Sequence, residues 1–213
     1  MIRWATFDCY GTLIDWNGGI RRELARVFGE ERADVLLVRY HAVEPELQRD
    51  GTRSYRKVMT AAMAELGASE DEADGLVGSL PSWEPFPEVR AALEEARARG
   101  WRLALLSNSD RDLIEASKET LAVPFDETVV AGEIDSYKPA HGHWDAFLAR
   151  TDADPDAWVH VAASHFHDIV PASAIGLPTI WVNRLGETAE PVPTIELASL
   201  TGLADALDEL VSA

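Results

Sequence analysis

Ile2-Arg3-Trp4-Ala5-Thr6-Phe7-Asp8-Cys9-Tyr10-Gly11-Thr12 is the stretch that decides the fold. Its β-formers carry the backbone to a carboxylate, Asp8, and the residues that follow are small and turn-prone. A strand that ends on an Asp and opens into a Gly-Thr turn presents that carboxylate at the carboxyl edge of a sheet. In open α/β sheets the ligand crevice lies at that edge, and a carboxylate held there has the chemistry of a nucleophile. Taken alone, the segment equally fits an Asp that caps a strand-to-loop turn.

After Thr12 the hydrophobic period changes from two to helical. Helices are predicted over 18–30, 33–49, 53–66 and 70–79. Pro81-Ser82-Trp83-Glu84-Pro85-Phe86-Pro87 then breaks the pattern. From residue 88 the chain alternates: helices over 88–99, 110–121, 141–150, 168–175 and 202–211, and strands over 102–107, 127–131, 158–162 and 178–182. This alternation predicts an α/β fold, a Rossmann-like parallel sheet with helices on both faces. About 75 residues of helix separate the first strand from the others. The economical arrangement is a core made from 1–14 and 87–213 with a helical cap, 15–86, inserted after strand one and hinged near 13–17 and 80–87. A cap over the carboxyl edge excludes water and brings in binding groups. A second helical domain with no part in the chemistry fits the same pattern. There are no internal repeats or low-complexity tracts.

The 213 residues, 46% hydrophobic and 26% charged, are ordinary for a soluble globular protein with a substantial core. A net charge of −18 argues against nucleic acid and anionic membranes as partners. It also means that the cations of any anion-binding pocket work against the overall field. One cysteine, Cys9, excludes an intramolecular disulfide and fits a reducing cytoplasm. With no basic neighbour in sequence, it reads as a small buried hydrophobe rather than a nucleophile. No signal-like segment opens the chain and no apolar run approaches membrane-spanning length. The expected location is cytoplasmic. The oligomeric state is open, and a homodimer is compatible with the sequence.

Three further stretches follow Asp8 in order: Leu105-Leu106-Ser107-Asn108, Tyr137-Lys138-Pro139, and Ser164-His165-Phe166-His167-Asp168. Together with the opening Asp-x-x-Gly-Thr, they resemble the four motifs of the haloacid dehalogenase superfamily. The tail Gly176-Leu177-Pro178-Thr179-Ile180-Trp181-Val182-Asn183-Arg184 is similar to the L-2-haloacid dehalogenase branch. The resemblance spans nearly the whole chain and is more specific for the superfamily than for the reaction. It implies that Asp8 attacks an electrophilic carbon to give an ester that water then cleaves, with Lys138 paired to Asp8 and Thr12 supporting the Asp8 loop. A nucleophilic carboxylate must be ionised, so nearby cations and N–H groups are expected to hold its pKa low. Ser107 and Asn108, at a strand end before a helix, imply an anion cradle for the substrate carboxylate and the departing halide. They also suit a plain helix cap. Arg39, within Arg39-Tyr40-His41-Ala42-Val43-Glu44, resembles the cap arginine that receives the halide, where a permanent cation suits an anion. An exposed helical arginine is the plain alternative.

The departures discriminate between reactions. Superfamily phosphatases carry a second Asp two residues after the nucleophile as general acid. Here that position is Tyr10, as in the dehalogenases, and Tyr10 is placed with the substrate-binding residues. Metal-dependent members commonly have an acidic ligand where this chain has Ala163. Asp8 and Asp168 alone make a poor Mg²⁺ site, so the expectation is a reaction without metal or cofactor, with Mg²⁺ only if the chain is a phosphatase. The branch reads Ser-Ser-Asn-Ala-Trp-Asp where this chain has Ala163-Ser164-His165-Phe166-His167-Asp168. His165 thus stands for the Asn that holds the hydrolytic water, Ser164 remains as a binding residue, and Trp144 replaces a Tyr. His165 or His167 could assist Asp168 as a base, and each equally suits a packing role. His141, His143 and His160 belong to no constellation, and no close pair of histidines has a third ligand for zinc.

The leading reading is a hydrolase with a small anionic carboxylate, a 2-haloalkanoic acid, as substrate. The alternatives are a Mg²⁺-dependent phosphatase, with a replacement acid such as His41, and a catalytically silent binding protein on the same fold.

Overall fold

The structure, a computed structural model, describes residues 1–49, 51 and 53–212. Six parallel strands form its sheet: β1 (Arg3–Phe7), β2 (Trp101–Ser107), β3 (Glu127–Val130), β4 (Trp158–Ala162), β5 (Thr179–Val182) and β6 (Ile195–Leu197). Their order is β3-β2-β1-β4-β5-β6. The chain therefore runs outward from β1 on one side, then returns to lay β4 on the other. That reversal opens a crevice beyond the carboxyl ends of β1 and β4. The register aligns Phe7 with both Leu105 and Val161, so the ends of three strands meet on one level.

β1 and β4 are buried at every position, as expected for strands covered on both faces. Alternate side chains feed two cores. Ala5 and Phe7 enter the larger, which also receives the first four helices, and Trp4 enters a smaller one with Leu106, Trp144 and Phe147.

Between β1 and β2 lie α1 (Trp16–Phe28), α2 (Glu30–Gln48), α3 (Tyr55–Glu65) and α4 (Glu70–Ser79). None of the strands comes from this segment among the described residues. α1 starts two residues before the predicted helix, because Asp15 caps it by accepting from Gly18 N at 2.9 Å. The predicted gap before α2 shrinks to Gly29, whose φ of 93° turns the chain within one residue. The segment leaves and re-enters at one place: Asp15 N donates to Glu84 O (2.9 Å) and Phe86 N to Leu13 O (3.0 Å).

The remaining helices are α5 (Val89–Ala98), α6 (Arg111–Leu121), α7 (Ala131–Ile134), α8 (Gly142–Thr151), α9 (Val170–Ala174) and α10 (Leu203–Leu210). Three features depart from the expected elements. β6 is an unpredicted edge strand of three residues, too short to show a period. The strand expected to reach 131 ends at Val130, where α7 begins. The helix expected from 168 opens earlier, with a π-turn over His165–Ile169. No helix among the described residues is long and apolar enough to cross a membrane.

Candidate active site

Asp8 lies one residue beyond β1, and its own N–H still bonds Val161 O of β4 (3.2 Å). The turn behind it needs Gly11, whose φ is 88°. Thr12 closes the turn: its hydroxyl donates to Asp8 Oδ2 (3.0 Å) and accepts from Ala163 N (2.8 Å). One side chain thus joins the ends of β1 and β4.

Lys138 is buried and reaches the same point. Its ammonium donates to Asp8 Oδ1 (2.9 Å), Asp168 Oδ1 (2.6 Å) and Leu106 O (2.7 Å). All three protons are used, so the lysine is a fixed bridge between two carboxylates. Asn108 holds the backbone beneath it, donating to Lys138 O (2.9 Å) and accepting from Lys138 N (2.7 Å).

The two carboxyls are tuned apart. Burial pushes Asp8 up, helped by the Asp168 charge, and Lys138 and Thr12 oppose this without reversing it. Burial also acts to raise Asp168, but Lys138 and His160 override it and hold the group at about 2. The expectation of a depressed nucleophile pKa therefore fails for Asp8, because Asp168 takes the closer contact with the ammonium and a second donor. Lys138 is raised overall: burial disfavours its charge, but the two carboxylates win.

The second donor is His160. Trp158 Nε1, which can only donate, gives its proton to Thr6 Oγ1 (2.8 Å), and that hydroxyl meets His160 Nδ1 (2.9 Å). With the Thr6 proton on Nδ1, His160 carries its own proton on Nε2 and donates it to Asp168 Oδ1 (3.0 Å). A buried polar residue in the apolar run Trp158-Val159-His160-Val161-Ala162 was the available signal, since such a residue must find a partner.

These groups floor a cavity of about 610 Å³. Ser107, Ser164 and His167 line it, with Ser164 Oγ against His167 Nδ1 (3.0 Å). Burial lowers the His167 pKa, keeping the ring neutral. The Tyr10 ring also lines the cavity, but its hydroxyl turns away to Ser117 (3.0 Å). Lys138 and Arg184 are the permanent cations of the lining among the described residues. Arg184 follows β5; it donates to Thr12 O (2.8 Å), pairs with Glu88 (2.8 Å) and lies over the Phe86 ring at 3.6 Å. The far wall comes from α1, α2 and α3, including Trp16, His41, Glu44 and Tyr55.

Two predicted residues are elsewhere. Arg39 is exposed and lines a separate shallow depression with Arg32 and Val35. The buried stripe of α2 runs through Ala33, Leu36, Tyr40 and Glu44, and Arg39 lies off it. His165 turns from the cavity to Pro191 O (2.8 Å) and the Trp181 ring, whereas His167 faces in.

The donor set does not fit Mg²⁺. Among the described residues only two carboxylates converge, an ammonium lies between them, and the side chains at 10 and 163 add no carboxylate.

A family model described as haloacid dehalogenase-like hydrolase matches residues 2–176. The chain belongs to this hydrolase family. Its curated relatives include the (S)-2-haloacid dehalogenase of Pseudomonas sp. (strain YL), 28% identical over 96% of this chain and 94% of that protein. They also include a phosphoserine phosphatase of Thermus thermophilus, 27% identical over 83% of this chain and 74% of that protein. Among solved structures, the L-2-haloacid dehalogenase from Xanthobacter autotrophicus with chloropropionic acid covalently bound superposes with a TM-score of 0.84. It is 17% identical, over 97% of this chain and 98% of that one. That dehalogenase thus shares the α/β fold found here.

Proposed function

We propose that this hydrolase cleaves a small 2-substituted carboxylate, a 2-haloalkanoic acid, through an ester on Asp8 and without a metal. The carrying observation is the Lys138 ammonium fixed between Asp8 and Asp168 at the floor of the cavity. In this reading the segment 15–86 is a cap that supplies the far wall and limits water.

In the first step an Asp8 oxygen attacks C2. The new C–O bond forms as the carbon–halogen bond breaks, and the halide leaves with the electron pair. Halide needs no proton, which suits a site where residue 10 is a tyrosine whose hydroxyl is turned to Ser117. Arg184 is the lining cation that holds the substrate's carboxylate, and Arg39, expected to receive the halide, lies outside this cavity.

In the second step water attacks the ester carbonyl carbon of Asp8, and the bond from that carbon to the substrate oxygen breaks. His167, neutral and facing the cavity, takes the water proton at Nε2 in the tautomer that donates Nδ1–H to Ser164. It returns that proton to the departing alkoxide, so that a 2-hydroxy acid leaves and the regenerated Asp8 carboxyl gives up its proton to solvent. Asp168, held ionised, keeps Lys138 in place. The covalent chloropropionic complex of the Xanthobacter enzyme and the dehalogenase names of several relatives support this chemistry.

Single turnover in oxygen-18 water is the test. Label should enter Asp8 before product, and Asp168→Asn should accumulate the Asp8 adduct by intact-protein mass spectrometry. Asp8→Asn should form none. Label passing directly to product with Asp8 unlabelled overturns the mechanism. Activity that appears only with Mg²⁺, on phosphate esters, moves the chain to the phosphatase reading that the Thermus relative represents.

A further inference from the structure

Glu44 is a lining residue that a simple haloalkanoate leaves unexplained. It projects from α2 into the wall of the cavity and is 6% exposed. Its Oε1 atom has no hydrogen-bond partner among the described residues. The Tyr55 hydroxyl accepts from Trp16 Nε1 (3.0 Å), which leaves its proton free for Glu44. The hydroxyl of Tyr40, one turn earlier on α2, is also buried without a partner among the described residues. Leaving a buried polar atom unpaired costs about 1–3 kcal/mol, more for a charged one. Burial pushes the Glu44 carboxyl up to about 7, and the Tyr55 contact offsets this only in part. None of the hydrogen bonds or ion pairs described for the chain gives this carboxyl a cation.

We infer that the α2 wall of the cavity is a subsite for a hydrogen-bond donor on the substrate, an ammonium or hydroxyl group, with Glu44 as the acceptor that selects it. The inference rests on the proposed reading that a small carboxylate occupies this cavity, and it narrows that class. The substrate is bifunctional: its carboxylate is held by a cation, and its N–H or O–H donates to the Glu44 carboxyl at the cavity wall. An unsubstituted alkyl tail would cover the Glu44 carboxyl and give it no partner, so the site discriminates against it in the way that hydrogen-bonding sites reject analogues lacking the matching group.

The probes are matched sets of three- to five-carbon carboxylates: the parent alkanoate, its ω-hydroxy derivative and its ω-amino derivative. Ligand-observed NMR titration gives Kd for the wild type, Glu44→Gln and Glu44→Leu. The best donor-bearing probe should bind the wild type about tenfold or more tighter than its parent alkanoate, and Glu44→Leu should erase that advantage without weakening the alkanoate. Glu44→Gln separates the two sources of the donor: it keeps the advantage of a hydroxyl and loses that of an ammonium. Circular dichroism checks folding, and Glu44→Met replaces the leucine variant if that one does not fold. Equal or weaker binding of every donor-bearing probe overturns the inference. So does an advantage that survives Glu44→Leu, or no binding by any probe. Chloride release from 2-chlorobutyrate is read in parallel. Release without a donor advantage sinks the subsite alone, and a donor advantage without release sinks the proposed reaction alone.

Discussion

His160 shows how far a single residue was readable. The sequence assigns it no constellation, because its partners Thr6 and Asp168 lie on different segments and only the parallel register Thr6↔His160 brings the first of them near. Asp8 was legible because it ends the first strand, and Lys138 and Asp168 because their stretches resemble motifs of the superfamily. Their pKa values were not, since burial and the split of one ammonium between two carboxylates are properties of the assembled site. His160→Leu removes a donor to an ionised carboxylate, an interaction of about 1.5–3 kcal/mol. Hydrolysis of the Asp8 ester should slow about 10- to 100-fold, with its formation less affected, as read by adduct build-up in single turnover. The raised Asp8 pKa has a direct signature. Attack needs the deprotonated form, so the rate of adduct formation should climb with pH through a limb above the ordinary carboxylate range. A rate already at its plateau throughout that range would contradict the raised value.

Among elements, strands and long helices were readable from period, whereas helix rotation was not. Arg39 and Glu44 lie in the same predicted helix, and which of them faces the crevice depends on how α2 rolls against its neighbours. β6 escaped because three residues carry no period. Asp110 was readable as the start of α6, but its carboxylate does other work. It accepts from Tyr55 N (3.2 Å) and Arg56 N (2.9 Å), capping α3 from across the crevice. Tyr137 adds a bond from its hydroxyl to Arg53 O (2.7 Å). Asp110→Ala should cost about 1 kcal/mol in stability, the usual worth of a cap. Because the lost contact joins the helical wall to the sheet, KM should rise more than kcat falls. Denaturant unfolding and steady-state kinetics measure the two effects.

For the whole molecule, the net charge of −18 sets the conditions under which an anionic substrate arrives. Screening lengths shrink to about 10 Å at 0.1 M salt. kcat/KM for a haloalkanoate should therefore rise with ionic strength from low salt, the reverse of an enzyme that attracts its substrate. Glu44 adds a pH dependence of stability. Its carboxyl, raised from 4.5 to about 7, stays protonated in the fold after the unfolded chain has ionised. The fold thus loses stability between those pH values as pH rises, by about 3 kcal/mol for this one group. Glu44→Gln should flatten that part of the stability–pH profile, measured as denaturant midpoints from pH 5 to 8. An unchanged slope would show that Glu44 ionises normally.

The paired strands of chain at Leu13–Asp15 and Glu84–Phe86 have a consequence for how the protein is made. β1 and β2 are neighbours in the sheet yet about 90 residues apart in sequence, a span whose closure entropy grows only with the logarithm of its length. Once the four helices have collapsed and their two ends are clipped together, β2 meets β1 as though a loop of about 20 residues joined them. That saves about 1 kcal/mol of closure entropy by the same logarithm. As the chain emerges from the ribosome, the helices are complete before β2 exists. β1 must then wait, unpaired on both edges, for partners that are synthesised later.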